Sequence, residues 1–160
     1  MTDTLLHSAL QESVDEVLEK MFFVRSFGDA RGATDEREFI AGLSFVGEPS
    51  GWLVLCVTDQ AARSVASDFL GEYEGGLSEH QIGEVICELA NMICGSVLSR
   101  VERNATFHLA APQLLPVASQ CPGIPVEGAE SHSVEIGNGR LKVLFQTERP
   151  AWSSTEKSAS

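Results

Sequence analysis

The sequence predicts an α+β fold: a largely antiparallel sheet with long helices packed on it. Three observations carry this expectation. Two pairs of apolar runs are separated by short turn signals, an arrangement that joins neighbouring strands antiparallel. Apolar residues recur at helical spacing over three longer stretches. The chain has 160 residues, 43% hydrophobic and 21% charged, which suits one domain with a single core.

The first helix is expected over residues 5–22, with Leu6, Leu10, Val14, Val17, Leu18 and Met21 on one face and Glu12, Asp15, Glu16 and Glu19 on the other. Residues 22–27 read as a strand and 28–37 as a polar loop. Glu38–Val46 and Gly51–Thr58 are apolar runs flanking the hairpin signal Gly-Glu-Pro-Ser-Gly at 47–51. Thr58 or Asp59 can cap a helix over 60–70, which Gly71 ends. Residues 72–77 form an acidic linker. Ser78 precedes Gln81 by three, the spacing of a capping box, and opens a helix over 78–102. Residues 106–117 read as an extended strand interrupted at Pro112, and 119–130 as a loop. Residues 134–136 and 141–146 flank Gly-Asn-Gly at 137–139, a tight hairpin turn. The domain is expected to span 1–149, with 150–160 a disordered, serine-rich tail.

A formal net charge of −12 speaks against nucleic acid and against an anionic membrane surface as partners. No apolar stretch reads as a membrane span of about twenty residues, and the first residues lack the pattern of a secretion signal. The expected setting is cytoplasmic. Cys56, Cys87, Cys94 and Cys121 contain no Cys-x-x-Cys pair. All four are expected to be reduced, buried and unligated. His7, His80, His108 and His132 share no metal-ligand spacing, and no metal site of the chain's own is expected. His108 is expected to face solvent from a strand.

The helix over 78–102 carries the functional signal. With Glu88 at zero and 100° per residue, Glu84 lies near about −40°, Asn91 near about −60° and Gly95 near about −20°. Ile82, Ile86, Leu89, Ala90, Ile93 and Val97 fall between about 100° and 200°. A polar stripe opposite an apolar one is also what any surface helix shows. This stripe lacks the Glu/Lys i,i+4 pairs of a merely solvated face. It also contains Gly95, which costs about 1 kcal/mol relative to Ala inside a helix. Close approach of another backbone explains such a glycine, and so does packing within the chain. Met92 and Val85 flank the stripe, either as docking surface or as the edge of the core. A carboxylate and an amide one turn apart can position a water beside a close-fitting partner. There is no Gly-x-Ser-x-Gly elbow and no phosphate loop.

Glu84, Glu88, Asn91 and Gly95 fit the pattern Asp/Glu-x3-Glu-x2-Asn-x3-Gly. In this, with Gly83 before it and Ala-Pro-Gln-Leu-Leu-Pro at 111–116 after it, the chain resembles the CheC/CheX chemotaxis phosphatases. The first helix, ending Met-Phe-Phe, is similar to the CheX branch. The likeness runs over roughly residues 5–147 and is strongest at the signature helix. The first helix contains no second Glu-x-x-Asn.

The resemblance implies a CheC/CheX-like fold and a phosphatase acting on the aspartyl-phosphate of a CheY-like response regulator. Asn91 would orient the attacking water and Glu88 would pair with the regulator's lysine, making these two the catalytic residues. Gly95, Glu84 and Met92 would contact the partner. The regulator would supply the divalent metal, Mg, so the chain needs no cofactor of its own. CheX-type relatives pair through sheet edges, so a homodimer is expected. The alternative is a non-catalytic module that binds a phosphorylated receiver domain or a flagellar or signalling partner. A third reading is a structural helix with accidental polar spacing.

Overall fold

The computed structural model describes residues 2–21, 26–29, 37–48, 50–101, 106–115, 129–136 and 139–147. The helices are α1 (Thr2–Met21), α2 (Asp59–Leu70) and α3 (Glu79–Val101). The strands are β1 (Ser26–Asp29), β2 (Glu38–Val46), β3 (Gly51–Thr58), β4 (His108–Leu109), β5 (Gln113–Leu114), β6 (Glu130–Ile136) and β7 (Gly139–Thr147). They form one seven-stranded antiparallel sheet in the order β1-β6-β7-β3-β2-β4, with β5 also pairing β2. The expected α+β architecture is the one observed.

Both hairpins form where their turn residues stand. Phe45 pairs with Gly51 at the end of the β2–β3 ladder, and Ile136 with Gly139 at the end of β6–β7. The two hairpins then join through β3 and β7, from Gly51 opposite Thr147 to Val57 opposite Leu141. The helices pack on one face of this sheet. Leu10, Val14 and Leu18 of α1, Val65 of α2 and Ile86, Leu89 and Ile93 of α3 share a core with Phe45, Leu53, Leu55, Val143 and Phe145. Ile40, Val54, Cys56 and Leu144 form a smaller buried cluster, alternating along their strands with those core residues. β3 is thus buried on both faces, which is why it reads as an unbroken apolar run.

Several boundaries differ from expectation. The strand expected over 22–27 is described only from Ser26 and continues to Asp29, into the expected loop. It pairs antiparallel with β6, Ser26 opposite Ile136 and Asp29 opposite Val134. β6 begins at Glu130 rather than 134, because Ser131-His-Ser133 alternates as a strand should, with His132 buried, although none of the three is apolar. The extended stretch expected over 106–117 is two short strands separated at Pro112, both on the edge of β2. His108 is exposed there. The expected tail over 150–160 and Cys121 lie outside the described residues.

Two further expectations are corrected. Cys56 is disulfide-bonded, while Cys87 and Cys94 are free thiols. Local spacing bears only on nearby pairs, and β3 carries Cys56 on the smaller cluster, where distant segments can reach it. The second concerns membrane length. α3, at 23 residues with a window of mean hydropathy 1.4, is long and apolar enough to span a bilayer. More than half of that window, 56%, is buried inside the fold, as in the core helix of a globular domain.

Candidate functional site

α3 begins where the sequence says it should. The Ser78 backbone N–H donates to Gln81 Oε1 at 2.8 Å, and the Gln81 N–H donates to Ser78 Oγ at 3.1 Å. This is the reciprocal capping box, which satisfies two otherwise orphaned donors. Arg37 donates to Glu79 Oε1 at 2.7 Å, and this contact, aided by Arg63, holds the Glu79 carboxyl below its ordinary range. A carboxylate also complements the positive end of the helix dipole. At the other end Arg100 reaches across to Glu12, 3.2 Å away, and to Glu16, tying α3 to α1. Ile82, Ile86, Leu89, Ala90, Ile93 and Val97 are fully buried. The helix is therefore fixed at both ends and along one side, and its remaining stripe is held in one orientation.

That stripe carries the residues singled out above. Glu84 and Glu88 are exposed, and Asn91 and Gly95 are half-buried. Glu84 has an intrachain partner, His80 Nε2, at 3.1 Å. The pair is solvated, so it contributes a few tenths of a kcal/mol at most. Among the described residues no hydrogen bond or ion pair engages the side chains of Glu88 or Asn91. A carboxylate and an amide thus stand one helical turn apart, free to meet an incoming surface.

The two glycines of the helix differ in kind. A Cβ at Gly83 would lie 2.5 Å from Leu114 Cδ1, so Gly83 is the seat on which β5 rests against α3. The two flanking parts of the signature, Gly83 and the proline-bearing segment, touch each other there. A Cβ at Gly95 would meet nothing within 4 Å. Packing inside the described chain therefore does not explain Gly95.

The apolar flank is only partly as expected. Val85, expected as either docking surface or edge of the core, belongs to the core at 3% exposure. Met92 is half-buried and packs against that core, leaving part of its thioether side chain at the surface. Two residues escaped the sequence reading. Phe69 and Leu70 end α2 and remain 37% and 39% exposed. With Gln81, Glu84, Val85 and Glu88 they line an open groove of about 370 Å³ beside the stripe. Their spacing from Val65 and Ala66 puts them on α2's buried face, so periodicity alone assigns them to the core.

Thiolate chemistry is not provided for. Burial pushes the Cys94 thiol up to about 12, and burial, with Glu84 adding to it, raises Cys87. Such thiols are protonated and inert near neutral pH. Among the described residues, no three His, Cys, Asp or Glu side chains converge as metal ligands would.

The sequence profile described as "Chemotaxis phosphatase CheX" matches residues 39–119, just over half of the chain. The chain belongs to the CheX family. The matched span contains β2 from its second residue, then β3, α2, α3, β4 and β5, and with them the whole stripe and the groove beside it. Solved CheX structures share the fold. CheX from Vibrio vulnificus has a TM-score of 0.72 at 17% identity, over 88% of this chain and 95% of that one. A CheX–CheY–BeF3–Mg complex from Borrelia burgdorferi has a TM-score of 0.66 at 16% identity, over 89% of this chain and 97% of that one. The likeness extends beyond CheX: FliY from Thermotoga maritima has a TM-score of 0.59 at 11% identity, over 94% of this chain and 91% of that one. No curated protein matches the chain.

Proposed function

We propose that the chain is an aspartyl-phosphate phosphatase for a CheY-like response regulator, with Asn91 and Glu88 as the residues that carry the reaction. The observation behind this reading is the stripe on α3, where Glu88 and Asn91 have no partner among the described residues and Gly95 has open space before it. Membership of the CheX family supports the reaction class. The Borrelia relative, crystallised with CheY, BeF3 and Mg, supports the class of partner.

Hydrolysis of an acyl phosphate needs little covalent help from a protein. It needs a water held in line with phosphorus and charge held in place around the transferring group. The Asn91 amide accepts from the water's O–H through its carbonyl oxygen and donates through its NH2 group. It does this without adding negative charge beside the phosphoryl oxygens. The Glu88 carboxylate pairs with the regulator's lysine and fixes the approach of Asn91 one turn further on. Gly95 admits the partner's backbone. The part of Met92 left at the surface lies against the partner, and Glu84, already paired with His80, contributes charge at the rim. Mg comes with the regulator, and no intermediate forms on this chain. We also read the protein as a homodimer paired through sheet edges, with no nucleic acid or membrane among its partners.

The test is loss of phosphate from a labelled receiver domain under single-turnover conditions, at limiting and saturating amounts of this protein. Asn91→Ala should lower the saturated rate on the order of a hundredfold, the scale on which loss of positioning acts. Glu88→Ala should weaken docking and lower turnover as well. An Asn91→Ala variant as fast as wild type refutes the catalytic assignment. The second reading is a non-catalytic module that binds a phosphorylated receiver domain or a flagellar or signalling partner through the same exposed stripe. Binding of the phosphorylated receiver with no acceleration of its decay selects that reading.

A further inference from the structure

We infer that the groove between the end of α2 and the first half of α3 is a second contact for the receiver domain, one that sets affinity rather than rate. It takes an apolar side chain that the receiver presents beside its basic, lysine-bearing surface. This rests on the receiver domain being the partner.

Three features point to that occupant. The first is continuity with the stripe. Glu84 and Glu88 line the groove and belong to the stripe at the same time, so a surface seated on Asn91 and Glu88 also covers the groove. The second is composition. The apolar wall is Phe69, Leu70 and the edge of Val85, and the polar rim is Glu84, Glu88 and Gln81. Both charged groups on that rim are carboxylates, in a chain of formal net charge −12, so an apolar group flanked by a cation complements it. The third is how the groove is kept open. Gly71 adopts φ +67° and its N–H donates to Ser67 O at 2.8 Å, closing α2 with a left-handed turn immediately after Leu70. The following residues, Glu72 and Tyr73, are exposed, and neither lines the groove. At about 370 Å³ it is at the small end of the range for enclosed small-molecule sites, roughly 300–1,000 Å³. An open groove of this size suits a protruding side chain of a protein partner.

The distinguishing experiment separates affinity from rate. In the single-turnover assay, the double variant Phe69→Ser/Leu70→Ser should raise the half-saturating concentration of this protein tenfold or more, while the saturated rate falls less than twofold. Direct titration onto the phosphorylated receiver should show the same loss of affinity. Glu84→Arg should weaken association and reduce its dependence on ionic strength. It also covers the case in which the double variant folds poorly, which circular dichroism and thermal unfolding would reveal. If the double variant saturates at the wild-type concentration, the groove assignment is overturned and the phosphatase reading stands. If Asn91→Ala matches wild type in rate while the groove variant binds weakly, the catalytic assignment falls and the groove holds. If wild type neither binds the receiver nor accelerates its decay, both fall. A change of oligomeric state in the groove variant without receiver, seen by sedimentation velocity, would assign the groove to a second copy of this chain and overturn the proposal.

Discussion

Gly95 is the residue whose presence the fold does least to explain. In an exposed helix interior a glycine costs about 1 kcal/mol relative to alanine. At Gly95 an added Cβ would touch nothing within 4 Å, so no packing within the described chain offsets that cost. Gly95→Ala should therefore raise stability by about 0.5–1 kcal/mol in urea unfolding. Gly95→Lys should leave the fold intact and obstruct docking, removing the proposed phosphatase activity at limiting protein. A destabilised Gly95→Ala would show that the glycine serves the fold after all. At this scale most of the stripe was legible, because helical angle alone places Glu84, Glu88, Asn91 and Gly95 on one side. Val85 lies only about 60° from Glu88 on the same count, yet it is core. α2 packs along that flank, and nothing in the local pattern says so.

Among the elements, α3 was the most legible, since a long helix announces itself by period and by cap. Ser78 and Gln81 form the bonds that their spacing predicts. Ser78→Ala should cost about 1 kcal/mol, the usual value of an N-cap. Equilibrium unfolding should show the loss, with little change in the saturated dephosphorylation rate, because the residues proposed to be catalytic, Glu88 and Asn91, sit two turns and more into the helix. The other elements show where period fails. The first half of β6 is held by backbone pairing to β7 and carries Ser131, His132 and Ser133, so no apolar alternation marks it. Phe69 and Leu70 show the reverse case. They continue α2's apolar face, but the helix ends on Gly71 and leaves them 37% and 39% exposed. The groove beside the stripe exists because that apolar face runs to the end of α2, where its cover is only partial.

For the molecule as a whole, the interior thiol on the functional helix links stability to pH. Cys94 is pushed by burial from an ordinary 9.0 to about 12. Below pH 9 the thiol is protonated in both folded and unfolded chains and has no effect on the balance. Between about 9 and 12 only the unfolded chain ionises, so folding stability declines with rising pH. The slope from this one group approaches 1.4 kcal/mol per pH unit at most. Cys94→Ala should flatten the alkaline limb of a stability–pH curve relative to wild type, measured by urea unfolding at pH 8 to 11. An unchanged slope would mean that the thiol ionises in the folded state. Near neutral pH the same thiol should resist alkylation until the protein unfolds.

The ladder between β3 and β7 also governs when the fold can form. Its pairs, Gly51 with Thr147 through Val57 with Leu141, join residues separated by most of the chain. β3 lies at the centre of the sheet, so its second neighbour arrives only after α3, the edge strands and β6 have left the ribosome. Throughout that interval the apolar side of α3, a helix with a window of mean hydropathy 1.4, has only part of its eventual cover. A topology dominated by such distant pairings folds in milliseconds to seconds rather than microseconds. Stopped-flow refolding should show this, and a microsecond main phase would contradict it. A chain cut short before β7 leaves one edge of β3 unpaired and both of its apolar faces incompletely covered, the combination that favours association between nascent chains over folding.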